Sequence, residues 1–257
     1  MMRRLVFPLA QRSALLNRSL TSAKAGGVAL RAVPRYVTSW HRYQRLPGAE
    51  CLRLRDADPR LSDRLPASPY DPHYFHQAIW TAERIFARDP AKHVDVGSEL
   101  LFVGMLAARL PVTFVDIRPL EVQVAKLHSI AGNVLALPFP NRSLPSVSCL
   151  HVVEHVGLGR YGDELDPAGT RRALLELQRV LAPGGDLYVS LPVGRPRVAF
   201  NAHRVHDPRD VVGWIEAADL VEFTLVDDHG RLRPEASLEE AATMRYGCGF
   251  YWFRAPT

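Results

Sequence analysis

Residues 93–119 constrain this chain more than any other stretch; they read HVDVGSELLFVGMLAARLPVTFVDIRP. Val94 and Val96 are β-branched and apolar, and Gly97 ends the run, as at the end of a buried parallel strand. Ser98 suits a helix N-cap, and Glu99 in the first turn suits the helix dipole. The apolar run 100–110 has helix length, and Pro111 stops it. Residues 112–115 make a second buried strand ending in Asp116. An acid about 20 positions after the glycine turn is where nucleotide-binding α/β folds hold the ribose hydroxyls. The stretch therefore predicts a nucleoside-containing cofactor without choosing which one.

The remaining pattern repeats that alternation. Asp71-Pro72 opens a helix with proline at its first position, running through Tyr74, Phe75, Ile79, Trp80 and Ile85 to about Arg88. Residues 121–127 read as a short helix or turn, 129–131 as a brief strand and 147–150 as a fourth strand. A helix over 168–181, opened by Asp166-Pro167, carries Leu174, Leu177, Val180 and Leu181 on one face. Pro183-Gly184-Gly185 is a sharp turn before a fifth strand, 186–191. A long loop precedes another helix from Asp207-Pro208 to about Ala218, and 220–227 and 249–254 read as closing strands. Strands alternating with helices imply a parallel-rich sheet covered on both faces.

Charge divides the chain. The first 49 residues hold nine Arg or Lys and no acid, whereas the rest carries a net −4 within the overall +5. Residues 1–48 read as a basic N-terminal extension, with Leu5, Leu9, Leu16 and Leu20 loosely at helical spacing. An organelle transit peptide has this composition, as does a basic segment in peripheral contact with an anionic membrane. Residues 49–69 form a Pro-punctuated linker, and 70–257 the main domain. The slightly acidic main domain predicts no nucleic-acid partner. Cys51, Cys149 and Cys248 are far apart and odd in number, which points away from a disulfide framework and towards a reducing, cytoplasmic setting.

The segments VDVGS, VTFVDIRP, LHVVEH and ALLELQRVLAPGGDLYVSLP, in that order, resemble the motif set of class I S-adenosylmethionine (SAM) dependent methyltransferases, over roughly residues 70–254. GLGRYGD and SLPVGRPRVAFNAHRVHDP resemble a branch of that superfamily described as a Caenorhabditis-type domain of unknown function. The resemblance implies a Rossmann-like sheet of seven strands, six parallel and the last inserted antiparallel. It also implies SAM as cofactor, held by Asp95, Gly97, Ser98, Asp116, Ile117, Asn133, Val134 and His151. Asp116 would take the ribose hydroxyls, Asn133 would lie near the adenine, and His151 would face the methyl donor. The family's second and third glycines are Glu99 and Leu101 here, so side chains narrow the space that bare backbone leaves for a cofactor. A pyrophosphate would meet the Glu99 carboxylate at a helix N-terminus, whereas a sulfonium tolerates it. SAM is therefore favoured over a dinucleotide.

His155 and Glu154 are the candidate catalytic residues. An oxygen nucleophile must lose a proton as it takes a methyl group, and a histidine titrating near neutrality suits that task. Residues 151–155 also spell H-x-x-E-H, whose zinc-binding form needs a helix that places both histidines on one face. The strand before it and Gly157 and Gly159 after it leave little room, and no metal is assigned. Arg160, Arg195, Asn201, His203 and Arg204 are the candidate substrate ligands, suited to a phosphate or carboxylate. The expected activity is O- or N-methylation of a small-molecule or glycan-like acceptor. The alternative is a methyltransferase-fold binding or scaffold protein without catalysis, motivated by the missing glycines.

Overall fold

The computed structural model describes residues 23–257, with side chains from residue 32 onward. The leucines expected at helical spacing in the first 20 residues lie outside the described residues. Two compact units divide the chain, Met1–Pro69 and Tyr70–Thr257. In the first, helix α1 (Ala23–Tyr43) contains Pro34 and ends in basic His41 and Arg42, which suit the negative end of a helix dipole. A 3-10 turn, Leu54–Asp56, interrupts the otherwise irregular proline-rich stretch that follows. Among the described residues no helix is long and apolar enough to cross a membrane.

The second unit begins with α2 (Pro72–Arg88). Asp71 caps it by accepting hydrogen bonds from the backbone N–H groups of His73 and Tyr74, at 2.9 and 3.4 Å. Such a cap contributes about 1 kcal/mol. Then come β1 (His93–Val96), α3 (Leu100–Arg109), β2 (Val112–Asp116), β3 (Leu127–Ala131) and β4 (Leu144–Leu150). After a 3-10 turn, Val153–His155, follow α4 (Gly169–Val180), β5 (Leu181–Val193), β6 (Arg197–Ala199), β7 (His203–Val205) and α5 (Pro208–Trp214). The chain closes with β8 (Asp219–Val226), β9 (Leu232–Arg233), α6 (Leu238–Ala242) and β10 (Gly247–Arg254).

The main sheet has order β3-β2-β1-β4-β5-β10-β8-β9. Strands β1 to β5 pair in parallel, and β10 inserts antiparallel between β5 and β8. The sheet therefore has eight strands rather than the expected seven. The extra one is β9, a two-residue strand that turns back on β8 through a loop with Gly230. A strand of two residues carries no period-2 pattern to be read.

Both faces are covered. Trp80 and Ile85 of α2 and Phe102 and Leu106 of α3 pack with Phe114, Tyr188 and Phe250 on one side. Leu174 and Leu177 of α4 and Val211 of α5 pack with Val115, Val189, Tyr251 and Phe253 on the other. Phe250 and Tyr251 fall on opposite faces because successive strand side chains alternate. Trp80 Nε1 donates to Thr224 Oγ1 at 3.0 Å, and the Arg84 guanidinium forks onto Glu222, so α2 is pinned to β8. That pin sets where the first turn of α2, with His73 and Tyr74, meets the carboxyl edge of the sheet.

Several local expectations change. Glu99, not Ser98, caps α3, accepting from the N–H groups of Leu101 and Phe102. Of the helix or turn expected over 121–127 the structure has the turn, closed by Leu127 N onto the Val124 carbonyl, and β3 begins at Leu127 instead of 129. The loop after the fifth strand folds into the β6–β7 hairpin, and α5 stops at Trp214. All three cysteines are free, and Cys149 is a buried core residue.

Candidate active site

The carboxyl ends of β1, β2 and β4 meet at Gly97. Its φ of +71° is open to glycine, and a Cβ there would stand 3.2 Å from the Val152 side chain and 3.7 Å from Asp116 Oδ2. Behind this turn, Asp95 is wholly buried. It accepts from Ser98 N at 3.0 Å and from Ser148 Oγ. Ser148 spends its one proton on Asp95, so His93 Nε2 donates to Ser148 Oγ and His93 Nδ1 accepts from Ser146 Oγ, each at 2.8 Å. Burial raises the Asp95 carboxyl to about 6, against the hydrogen bonds it accepts. Ser98 Oγ accepts from Leu150 N at 3.0 Å, tying the turn to the end of β4.

The residues expected at the cofactor thus divide. Gly97, Asp116 and Ile117 present backbone, carboxylate and an exposed apolar side chain at the strand ends. Asp116 Oδ1 accepts from Arg118 N at 2.7 Å, and among the described residues its Oδ2 takes no hydrogen bond. Asn133 follows β3 and folds its Oδ1 onto Leu135 N, 2.9 Å away. Asp95 and Ser98 build the turn from beneath, and Val134 is buried in the core.

A second set gathers where β4, β5 and β8 end. A cavity of about 760 Å³ is lined by residues including Tyr74, His151, Glu154, His155, Arg160 and His203. His151 sits in the left-handed region at φ +56°, uncommon for a residue with a Cβ. Its Nδ1 faces Glu154 Oε1 at 2.8 Å. The Tyr74 ring lies nearly parallel to that of His151, with centroids 4.9 Å apart. Burial alone would raise the Glu154 carboxyl, but the facing His151 more than offsets it and holds it below the usual range.

His155 Nδ1 donates to the Ala202 carbonyl at 2.6 Å, which leaves Nε2 as the lone-pair nitrogen, 3.7 Å from Glu154 Oε1. Burial, outweighing the Glu154 carboxylate and aided by Arg160, keeps His155 below the ordinary histidine range and therefore neutral near pH 7.

Of the expected substrate ligands, Arg160 and His203 line the cavity, whereas Arg195, Asn201 and Arg204 do not. Arg204 is buried and donates to the carbonyls of Val156 and Asp166, clamping the loop between them. Within that loop a Cβ on Gly157 would meet the Asp166 carbonyl at 2.2 Å. Arg195 and Asn201 are exposed around the β6–β7 hairpin. Arg197, from the arginine-rich loop after the fifth strand, also lines the cavity. Arg245 and Tyr246 line it too but carry no sequence signal, because β10 enters the site only through its antiparallel insertion.

The family model described as a Caenorhabditis protein of unknown function, DUF268, matches residues 124–221. A ubiquinone biosynthesis O-methyltransferase of Xanthomonas campestris pv. campestris (strain B100) is 29% identical over 157 residues. That match covers 49% of this chain and 60% of the relative, so the chain spans less than two thirds of that protein's length. The structure of N-methyltransferase NodS from Bradyrhizobium japonicum WM9 in complex with S-adenosyl-L-homocysteine aligns with a TM-score of 0.51. It is 17% identical and covers 86% of this chain and 98% of its own. The [4+2]-cyclase SpnF aligns equally, at a TM-score of 0.51 and 17% identity, covering 71% of this chain and 80% of its own. Neighbours with such different reactions share the scaffold and not the chemistry. The strand order, the antiparallel β10 and these likenesses together show that the chain has the fold of the class I SAM-dependent methyltransferases.

Proposed function

We propose that the protein is a SAM-dependent methyltransferase acting on oxygen or nitrogen of a small acceptor that carries an anionic group. The observation that carries this reading is the adjacency of two sites on one sheet edge. Gly97 and Asp116 offer a nucleoside-type cradle, and beside them His155 presents a lone-pair nitrogen to a cavity of about 760 Å³. Asp116 Oδ2 suits ribose hydroxyls, and Glu99, folded onto its own helix N-terminus, suits a sulfonium better than a pyrophosphate.

SAM supplies an electrophilic methyl group when bound. The chain's own residues do the rest. His155 Nε2 takes the acceptor's proton, Glu154 Oε1 faces the imidazolium so formed, and the Ala202 carbonyl fixes the ring through Nδ1. Arg160, Arg197 and Arg245 form no ion pair among the described residues and supply positive charge for a carboxylate or phosphate on the acceptor. Tyr74 and Tyr246 offer flat walls to a ring. The O-methyltransferase relative agrees with transfer to oxygen.

Calorimetric titration with SAM and S-adenosylhomocysteine tests the cofactor half. Methyl-labelled SAM with small phenolic or sugar acids tests the acceptor half, and Arg197→Ala should raise KM for the acceptor while leaving SAM affinity unchanged. Absence of any heat with either cofactor form would sink the reading. Leu101, largely exposed where the family has glycine, supports the alternative of a non-catalytic binding protein. That alternative predicts S-adenosylhomocysteine binding with no label transfer to any acceptor.

A further inference from the structure

Three side chains remote in sequence converge beside the cavity. His73 in the first turn of α2, His151 after β4 and Cys248 in β10 each place one nitrogen or sulfur within 4.8 Å of the other two. All three are buried, Cys248 completely. His151 Nε2 lies 3.3 Å from Cys248 Sγ. In a tetrahedral zinc site, bonds of roughly 2.0 Å to nitrogen and 2.3 Å to sulfur set these two ligand atoms about 3.5 Å apart. The pair already stands near that spacing. The His73 nitrogen lies within 4.8 Å of both, at most about 1.3 Å beyond that spacing.

The other side of His151 is arranged to match. His151 Nδ1 faces Glu154 Oε1 at 2.8 Å, so Nε2, on the Cys248 side, is the nitrogen left to meet a metal. A carboxylate behind a ligating histidine fixes the tautomer and strengthens the ligand. Glu154 is wholly buried, and its Oε2 accepts no hydrogen bond among the described residues. A buried thiol satisfied by one acceptor explains neither the second histidine nor this buried carboxylate.

We propose that His73, His151 and Cys248 bind one zinc-class divalent cation, with Glu154 as the carboxylate behind His151. A donor set of two nitrogens and one sulfur suits zinc and disfavours magnesium and calcium, which take oxygen ligands. Three protein ligands leave a fourth position open, as in catalytic zinc sites. Because His73 and His151 both line the cavity, that position faces it. His155 is not part of the set; its Nδ1 is committed to Ala202 O. The site stands on ligand geometry and does not depend on methyl transfer.

Cobalt spectroscopy on the full-length protein, stripped with a chelator and dialysed, tests the site. One equivalent of Co²⁺ should produce a thiolate-to-cobalt charge-transfer band and the intense visible bands of tetrahedral cobalt, and Zn²⁺ should displace both. Cys248→Ser should abolish the charge-transfer band, and His73→Asn should weaken Zn²⁺ binding at least tenfold. Glu154→Gln should weaken it by roughly 10- to 100-fold. Cys51→Ser, which removes the exposed thiol, should leave the band unchanged. The wild-type spectrum reads thiolate ligation directly, so the test survives a buried variant that fails to fold. No charge-transfer band in the wild type overturns the site. So does a band that persists in a folded Cys248→Ser or vanishes in Cys51→Ser.

Discussion

His151 and Glu154 form a buried pair across one tight turn, with Nδ1 2.8 Å from Oε1 and the carboxylate fully enclosed. The left-handed backbone at His151 folds the chain back after β4, and the 3-10 turn brings Glu154 underneath. The same Oε1 lies 3.7 Å from His155 Nε2, so one carboxylate serves two imidazoles. These contacts set the rigidity of the edge on which both candidate sites stand.

Removing one partner of a buried pair leaves the other desolvated without compensation. Glu154→Ala should therefore cost roughly 3–5 kcal/mol of folding free energy. Glu154→Gln retains an acceptor for His151 Nδ1 and should cost less. Urea denaturation of both variants measures the difference, and equal losses would show that packing, not the charge, matters at this position.

Should His155 be the base, His155→Asn lowers methyl transfer by about 10²–10⁴-fold. Its affinity for SAM should be unchanged. Burial keeps the His155 imidazole below 6.5, and a base must be neutral to accept a proton. The acid limb of kcat/KM should accordingly fall below pH 6.5. A wild-type profile whose acid limb lies at or above that pH would remove His155 from the role.

At the cofactor cradle, Asp116→Ala should weaken SAM binding tenfold or more, as expected for a lost hydrogen bond to a charged group worth about 1.5–3 kcal/mol. Gly97→Arg should abolish binding, because φ at +71° resists a side chain and its Cβ would press on Val152. Titration calorimetry reads both, and unchanged affinity in a folded Gly97→Arg would move the cofactor elsewhere.

Acid stability follows from groups buried outside the proposed metal ligands. Burial lowers His93 to about 3 and His206 to about 4, both from 6.5. Unfolding lets them take up protons, so their contribution is intact above pH 6.5 and is lost as pH falls towards 4. Asp95, raised to about 6 from 3.8, acts oppositely, its contribution fading as pH rises through 6. Two histidines outweigh one carboxylate, and the unfolding free energy should drop on acidification from pH 6.5 to 4. A His206→Asn variant should show a shallower drop in denaturant melts across that range.

Much of the scaffold is legible in local chemistry. The valines of β1 and β2 and the Asp71-Pro72 helix start each encode their conformation within a few residues. Pro183–Gly185, by contrast, expected as a turn before the fifth strand, lies inside β5, which begins at Leu181 and shifts register against β4 there. Errors arose where a local rule had two candidates. Ser98 and Glu99 are both able caps, and Ser98 is drawn off because β4 brings Leu150 N to its hydroxyl. Asp95 is expected at the cofactor from the family motif and Arg204 at the acceptor from its charge; the structure shows both buried, with hydrogen bonds made inside the fold.

By itself the sequence determined the alternation of strands and helices, and hence a parallel sheet with its strand ends at Gly97, Asp116 and His151. Periodicity and turn chemistry are short-range, so these survive any packing. Only the tertiary structure decided which residues share a cavity. Pinning α2 to β8 delivers His73 and Tyr74, and the antiparallel insertion of β10 delivers Cys248, Arg245 and Tyr246. His73 and Cys248 meet His151 because long-range strand pairing, which no local pattern encodes, lays their segments on one edge.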